Sequence, residues 1–84
     1  MENPKMIVLS NNQILISKIE EVPSEFGEPD CKLIDPYLVT SDGTLSSWLS
    51  DYTDQTIFMI HSDKILTIVD SNSKLLEKYI LINK

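Results

Sequence analysis

Eighty-four residues make one domain, residues 1–84, because a chain this short has too little interior to divide between two cores. Seven basic residues against thirteen acidic ones, a formal charge of −6, exclude gripping a phosphate backbone by bulk electrostatics, so any nucleic-acid site has to be a local basic spot. Cys31 is the only cysteine, which excludes an intrachain disulfide and a thiolate zinc cluster; it reads as a small buried hydrophobe. A core of this size is marginal and calls for a staple. With disulfides and metal set aside, oligomerisation remains.

Met1 to Lys5 is polar and leads into the short apolar stretch Met6 to Leu9, too short for a signal-peptide core or a membrane span. A soluble, cytoplasmic protein is expected. Met6 to Leu9 and Gln13 to Val22 are β-branched and aliphatic runs flanking Ser10-Asn11-Asn12, residues that accept left-handed backbone, and the pattern predicts a β-hairpin. Val22 to Pro29 carries two prolines, a glycine and glutamates, which interrupt any ladder and predict a loop.

From Cys31 the residues alternate, with Cys31, Leu33, Tyr37 and Val39 on one face and Lys32, Ile34, Leu38 and Thr40 on the other. Pro36 restricts this strand to an edge or a bulge. Asp42-Gly43 is the strongest short hairpin signal in the chain. The following Leu45 to Tyr52 is either a strand, with Trp48 and Tyr52 sharing a face, or an irregular excursion. Ile57-Phe58-Met59-Ile60 and Ile65-Leu66-Thr67-Ile68-Val69 are apolar on both faces, with little more than Ser62-Asp63-Lys64 between them. Strands with two apolar faces need cover on both, and a chain this short has little left to supply it. A neighbouring subunit or a packed helix is implied. Asp70-Ser71-Asn72-Ser73 offers several N-caps, and Leu75, Leu76, Tyr79 and Ile80 follow at helical spacing, predicting a short C-terminal helix that lids the last strands. Ile80-Leu81-Ile82 is alternatively an edge strand.

Little in this chain supports enzyme chemistry. His61-Ser62-Asp63 has the residue types of a nucleophilic triad, but neighbours along one turn cannot converge on a reacting atom. The single histidine has no second imidazole as shuttle or metal partner. Asp51, Asp54, Asp63 and Asp70 lack a diagnostic cation spacing, and Asp70-x-Asn72 has Leu75 where a calcium loop needs glycine, so a helix cap explains it better. Glu20, Glu21, Glu25, Glu28 and Asp30 read as a solvated acidic segment. Trp48 and Tyr52 are either a base-stacking platform or core aromatics. Gly27 and Gly43 are isolated and make no phosphate loop. No cofactor and no metal are expected.

Two stretches together resemble the Sm/LSm superfamily. Ile7 to Ile19 is similar to its first hairpin, and Met59-Ile60-His61-Ser62-Asp63-Lys64-Ile65-Leu66-Thr67-Ile68 is similar to its second signature, in which a turn joins the fourth and fifth strands. His61 and Ser62 stand where that signature has arginine and glycine, and the aspartate and asparagine of the first signature have no clear match near Val22 to Asp30. Leu33-Ile34-Asp35-Pro36, Trp48-Leu49 leading to Tyr52, and Asp70-Ser71-Asn72 before Leu75-Leu76-x-x-Tyr79 also resemble a group of small Sm-like proteins of marine cyanophages and ocean metagenomes.

The resemblance implies a mainly β fold, a small five-stranded, bent antiparallel barrel, here with a short C-terminal helix. It also implies a homomeric ring in which the fourth strand of one subunit pairs with the fifth of the next, working in the cytoplasm, or the host's cytoplasm for a phage protein. Such pairing would cover the apolar strands and remove their aggregation hazard. On this basis Ile57, Phe58, Met59, Ile60, Ile65, Leu66, Thr67, Ile68 and Val69 are the candidate subunit interface. His61, Ser62, Asp63 and Lys64 are the candidate contacts to single-stranded nucleic acid, RNA or DNA, at a pore or rim. The alternative expectation is a protein-binding assembly or adaptor ring without nucleic-acid affinity.

Overall fold

Aliphatic and β-branched residues run through both halves of the chain, and the sheet draws strands from each. The computed structural model describes residues 4–83; residues 1–3, at the start of the polar lead, and residue 84 lie outside the described part. Strands β1 (Lys5–Leu9) and β2 (Ile14–Glu21) form the expected hairpin. Asn12 takes the left-handed conformation at φ 71°, and the Leu9 amide donates to the Gln13 carbonyl across the turn (2.9 Å). The proline-containing segment is a loop, closed at its base where the Val22 amide donates to the Asp30 carbonyl (3.0 Å).

Strand β3 (Cys31–Val39) pairs antiparallel with β2. Its register slips opposite Ser17, where Asp35 adopts φ 53° and Pro36 has no N–H to give. This is the bulge that Pro36 demands, and it changes the faces. The strict alternation put Tyr37 with Leu33, but the slip sends Leu38 to the core that holds Leu33 and turns Tyr37 to the helix. The carbonyls freed at the bulge all find donors: Ser17 Oγ for Ile34 (3.1 Å), Tyr79 Oη for Asp35 (2.8 Å), and the Trp48 amide for Pro36 (3.1 Å). A buried serine in a sheet interior is costly unless bonded. Ser17 is fully buried and meets that condition.

The Asp42-Gly43 turn leads into a short strand β4 (Leu45–Ser47) on the outer edge of β3. Asp42 accepts from the Thr40 hydroxyl and the Thr44 amide, which hold its carboxyl down at about 2. The stretch after β4 is the irregular excursion. Leu49 sits at φ 61°. Trp48 is half-buried edge-on against Phe58, with ring centres 5.3 Å apart, while Tyr52 is exposed. The two aromatics make no common stacking face.

Strand β5 (Ile57–Ile60) pairs with the first half of β3, and β6 (Ile65–Asp70) with β1. The strand order is therefore β4-β3-β2-β1-β6, with β5 beside β4 along the same edge of β3. The expected mainly β, antiparallel fold with a short C-terminal helix is observed, and the expected five-stranded bent barrel is corrected to an open sheet of six strands among the described residues. β5 and β6 are adjacent in sequence but pair with different strands, so nothing in the ladder closes the ring of strands.

The core is small and lies under β1, β2 and β3. Ile7, Leu15 and Leu33 are fully buried and Leu9 nearly so, with Ile19, Leu38, Trp48, Phe58, Ile60 and Ile65 packed against them. Each fully buried aliphatic of this kind contributes roughly 1.5–3 kcal/mol.

Helix α1 (Ser73–Ile82) is capped by Asn72, whose side chain accepts from the Leu75 amide (2.9 Å). Among the offered caps, Asn72 is the one used. The helix does not lid the last strands. Its anchor, Tyr79, is buried edge-on against Tyr37, with ring centres 5.7 Å apart, and donates to the β3 bulge. Burial, with the Asp35 carboxylate near by, pushes the Tyr79 phenol up to about 12. Leu66, Ile68 and Val69 of β6 stay exposed.

Candidate functional site

The chain passes from β5 to β6 in a single 3-10 turn, Ser62–Lys64. Because those strands pair with β3 and β1 respectively, the turn has to carry the backbone from one side of the sheet to the other. It is pinned at both ends. The Lys64 amide donates to the His61 carbonyl (3.1 Å), and the Lys64 carbonyl accepts from the Ser10 amide of the first hairpin (2.8 Å).

A second set of bonds ties this turn to the loop between β2 and β3. Asp30 accepts from the Ser62 amide through Oδ1 and from the Ser62 hydroxyl through Oδ2, both at 2.7 Å. His61 donates from Nε2 to the Gly27 carbonyl (3.1 Å). The two Ser62 donors favour the charged form of Asp30 and lower its pKa below the ordinary carboxylate value. His61 and Ser62 therefore have structural work at the rim. They are not hydrogen-bonded to each other or to Asp63, and the triad composition corresponds to no triad geometry.

Asp63 and Lys64 have exposed side chains. Neither side chain makes a hydrogen bond or ion pair among the described residues. Asp30, by sequence one of a solvated acidic segment, is in the fold the acceptor that holds the turn. Its signal was available only as a possibility: an acidic residue directly before a strand, at the base of a loop, can accept from a neighbouring turn.

Beside the turn runs an open groove of about 740 Å³, with Ile19, Cys31, Ile65 and Leu66 along it and Glu21, Asp30 and Ser62 at its polar end. It lies between β6, whose Thr67 and Ile68 also line it, and the end of β2 with the start of β3. Cys31 is buried beside it, and burial, with the neighbouring Asp30 and Glu21 charges, pushes its thiol up, so it is a weak nucleophile.

The nine candidate interface residues divide into two groups. Phe58, Ile60 and Ile65 are packed against the core. Ile57, Met59, Leu66, Ile68 and Val69 are between 45% and 64% exposed, and Thr67 is exposed with them. β5 thus has one side covered, by Phe58 and Ile60, and one side bare, whereas in β6 only Ile65 is covered and Leu66 to Val69 are exposed on both faces. β5 is bonded only to β3 and β6 only to β1, which leaves each with an unpaired edge among the described residues.

No group of three or more His, Cys, Asp or Glu side chains is placed to hold a metal ion among the described residues. Nor is any helix there long and apolar enough to cross a membrane.

The fold and this rim define a small, mainly β protein with an open antiparallel sheet, a tied turn-and-loop rim and a docked C-terminal helix. The chain belongs to DUF6561, a family of unknown function, whose sequence model matches residues 2–84. None of the curated proteins matches it.

Proposed function

We propose that this chain assembles into an Sm-like homomeric ring, β5 of one copy pairing along β6 of the next, and acts as a non-enzymatic binding platform in the cytoplasm. One observation carries the reading: the last two strands each keep an unpaired edge and exposed apolar side chains. With β4 set aside as a short addition, β5 and β6 take the places of the fourth and fifth strands of the Sm-like fold. Pairing them between copies would give the free edges of both strands a partner and reduce the exposure of the apolar side chains they carry.

Light scattering coupled to size exclusion tests this directly. A mass at a whole multiple of 9.6 kDa is expected, and Met59→Glu or Ile68→Glu should reduce it to one chain by placing a charge in the contact. A wild-type monomer at tens of micromolar would remove the proposal.

For the ligand of the rim, single-stranded nucleic acid is supported by Lys64, an exposed cation without an ion pair among the described residues, which ring symmetry would repeat. Repetition turns weak contacts into avidity when one strand reaches several copies. Fluorescence anisotropy with uridine-rich and adenine-rich oligonucleotides, at low and moderate salt, should show binding that Lys64→Ala weakens. If assembled protein binds neither, the adaptor ring with a protein partner takes its place, a reading favoured by the acidic balance and by the carboxylates of Asp30 and Asp63 at the same rim.

A further inference from the structure

Phe26 is the most exposed large hydrophobic residue of the described chain, with its side chain entirely in solvent. A lone exposed apolar residue is ordinary, but an aromatic held out on an ordered turn is a different matter. The Glu28 amide donates to the Glu25 carbonyl (3.0 Å), and the Glu25 amide donates to Glu28 Oε1 (3.1 Å). Gly27 takes φ 87°, and His61 fixes its carbonyl. The ring of Phe26 is therefore presented between two glutamates on a tip tied to the main rim. Ordering such an anchor in advance removes much of the entropy cost of using it in an interface.

The other end of β3 carries a complementary feature. Leu45, Leu81 and Ile82 line an apolar pocket of about 390 Å³, with Thr44 and Lys78 at its edge. Lys78 is held there by donating to the Gly43 carbonyl (3.0 Å), which leaves two of its ammonium protons for other acceptors. Lys74 lies one turn earlier on the same helix face. In a chain with a net charge of −6, this is a local cationic rim around an apolar hole, and the Phe26 turn is an apolar knob between two anions.

We propose that Phe26 of one copy docks into the Leu45, Leu81 and Ile82 pocket of a second copy, with Glu25 and Glu28 facing Lys78. The two surfaces lie beyond opposite ends of β3, whose nine residues span roughly 25 Å when extended, so the contact is between chains. It is heterologous, joining front to back, and leads to stacking. It uses neither β5 nor β6 and does not rest on the ring reading.

The test uses the full chain and reads the pocket itself. Unlabelled wild-type protein is titrated into ¹⁵N-labelled Phe26→Ala, which keeps the pocket but has no knob. Amide shifts are expected at Leu45, Lys78, Leu81 and Ile82, and unlabelled Phe26→Ala should shift none of them. Loss of an aromatic anchor of this kind weakens association by about thirtyfold or more. Glu25→Lys, which leaves the Glu28 side-chain bond of the turn in place, and Lys78→Glu should each abolish the shifts, and placing both changes in one chain should restore self-association in sedimentation velocity. All these residues lie at the surface, so circular dichroism should be unchanged. Shifts confined to β5 and β6 would mean lateral assembly alone and overturn the docking proposal, as would an absence of shifts at millimolar wild-type protein. A monomer in light scattering with pocket shifts intact would remove the ring and keep the docking.

Discussion

The β1-β2-β3 half and the β5-β6 half use similar aliphatic residues to opposite ends. In the first half, Ile7, Leu15, Ile16 and Leu33 are fully buried, every strand is paired on both sides, and the bulge carbonyls are met by Ser17, Tyr79 and Trp48. In the second, Met59, Leu66 and Ile68 stay exposed on strands bonded on one side only, Ile68 even though it lies opposite the buried Ile7. Residue type therefore does not distinguish core from interface in this chain. Position in the ladder does.

The widest separation of the two halves should come from truncation. Leu33→Ala leaves a cavity at the centre of the core and is expected to cost 2–5 kcal/mol, in the order-of-magnitude range for buried leucines, a large share of what a domain this size has. Ile68→Ala should move the unfolding free energy of the separated chain by only about 0.5 kcal/mol while reducing the assembled mass. Urea unfolding alongside light scattering measures both, and equal unfolding losses at the two sites would break the comparison.

Tyr79→Phe probes the helix anchor. It keeps the ring against Tyr37 and removes the donor to Asp35, so a loss of about 1–2 kcal/mol is expected. Alkaline pH should imitate it. The Tyr79 phenol is raised from 10 to about 12, so its contribution is whole below pH 10 and disappears as pH climbs from there through 12. A thermal melting series from pH 9 to 12 should show wild type falling towards Tyr79→Phe.

The smallest effects belong to the exposed carboxylates. Asp42, lowered from 3.8 to about 2, and Asp30, lowered in the same direction, stabilise the fold above the ordinary carboxylate pKa. That contribution fades as pH falls through their lowered values. Asp30→Asn should leave the melting temperature nearly unchanged yet speed hydrogen exchange at the Ser62 amide. An unchanged exchange rate there would show that Asp30 does not hold the turn.

Much of the fold was legible because it follows from local chemistry. The Asn12 turn, the loop from Pro23, the bulge at Pro36 and the cap before Leu75 are each dictated by residues that restrict their own backbone. What was not legible depends on distance in sequence. Alternation cannot reveal that Asp35 adopts a left-handed φ and moves Leu38 to the core, because the slip is set opposite Ser17 on another strand. Helical spacing gave Tyr79 an apolar face without saying which strands it meets. The rim was half readable: the turn at His61 to Lys64 stood out between two apolar runs, but its partners, Gly27 and Asp30, lie more than thirty residues away.

One pairing also has a consequence in time. β1 bonds to β6, Lys5 opposite Asp70 and Ile7 opposite Ile68, so the first strand made waits for nearly the last. Local hairpins form early, and closures across long stretches of chain come late. During synthesis β1, β2 and β3 can fold while the residues of β6 are still inside the ribosome. Until Ile65–Asp70 emerges, the nascent chain exposes the outer edge of β1 as well, and that interval is when it is most prone to pair with a neighbour on the same message.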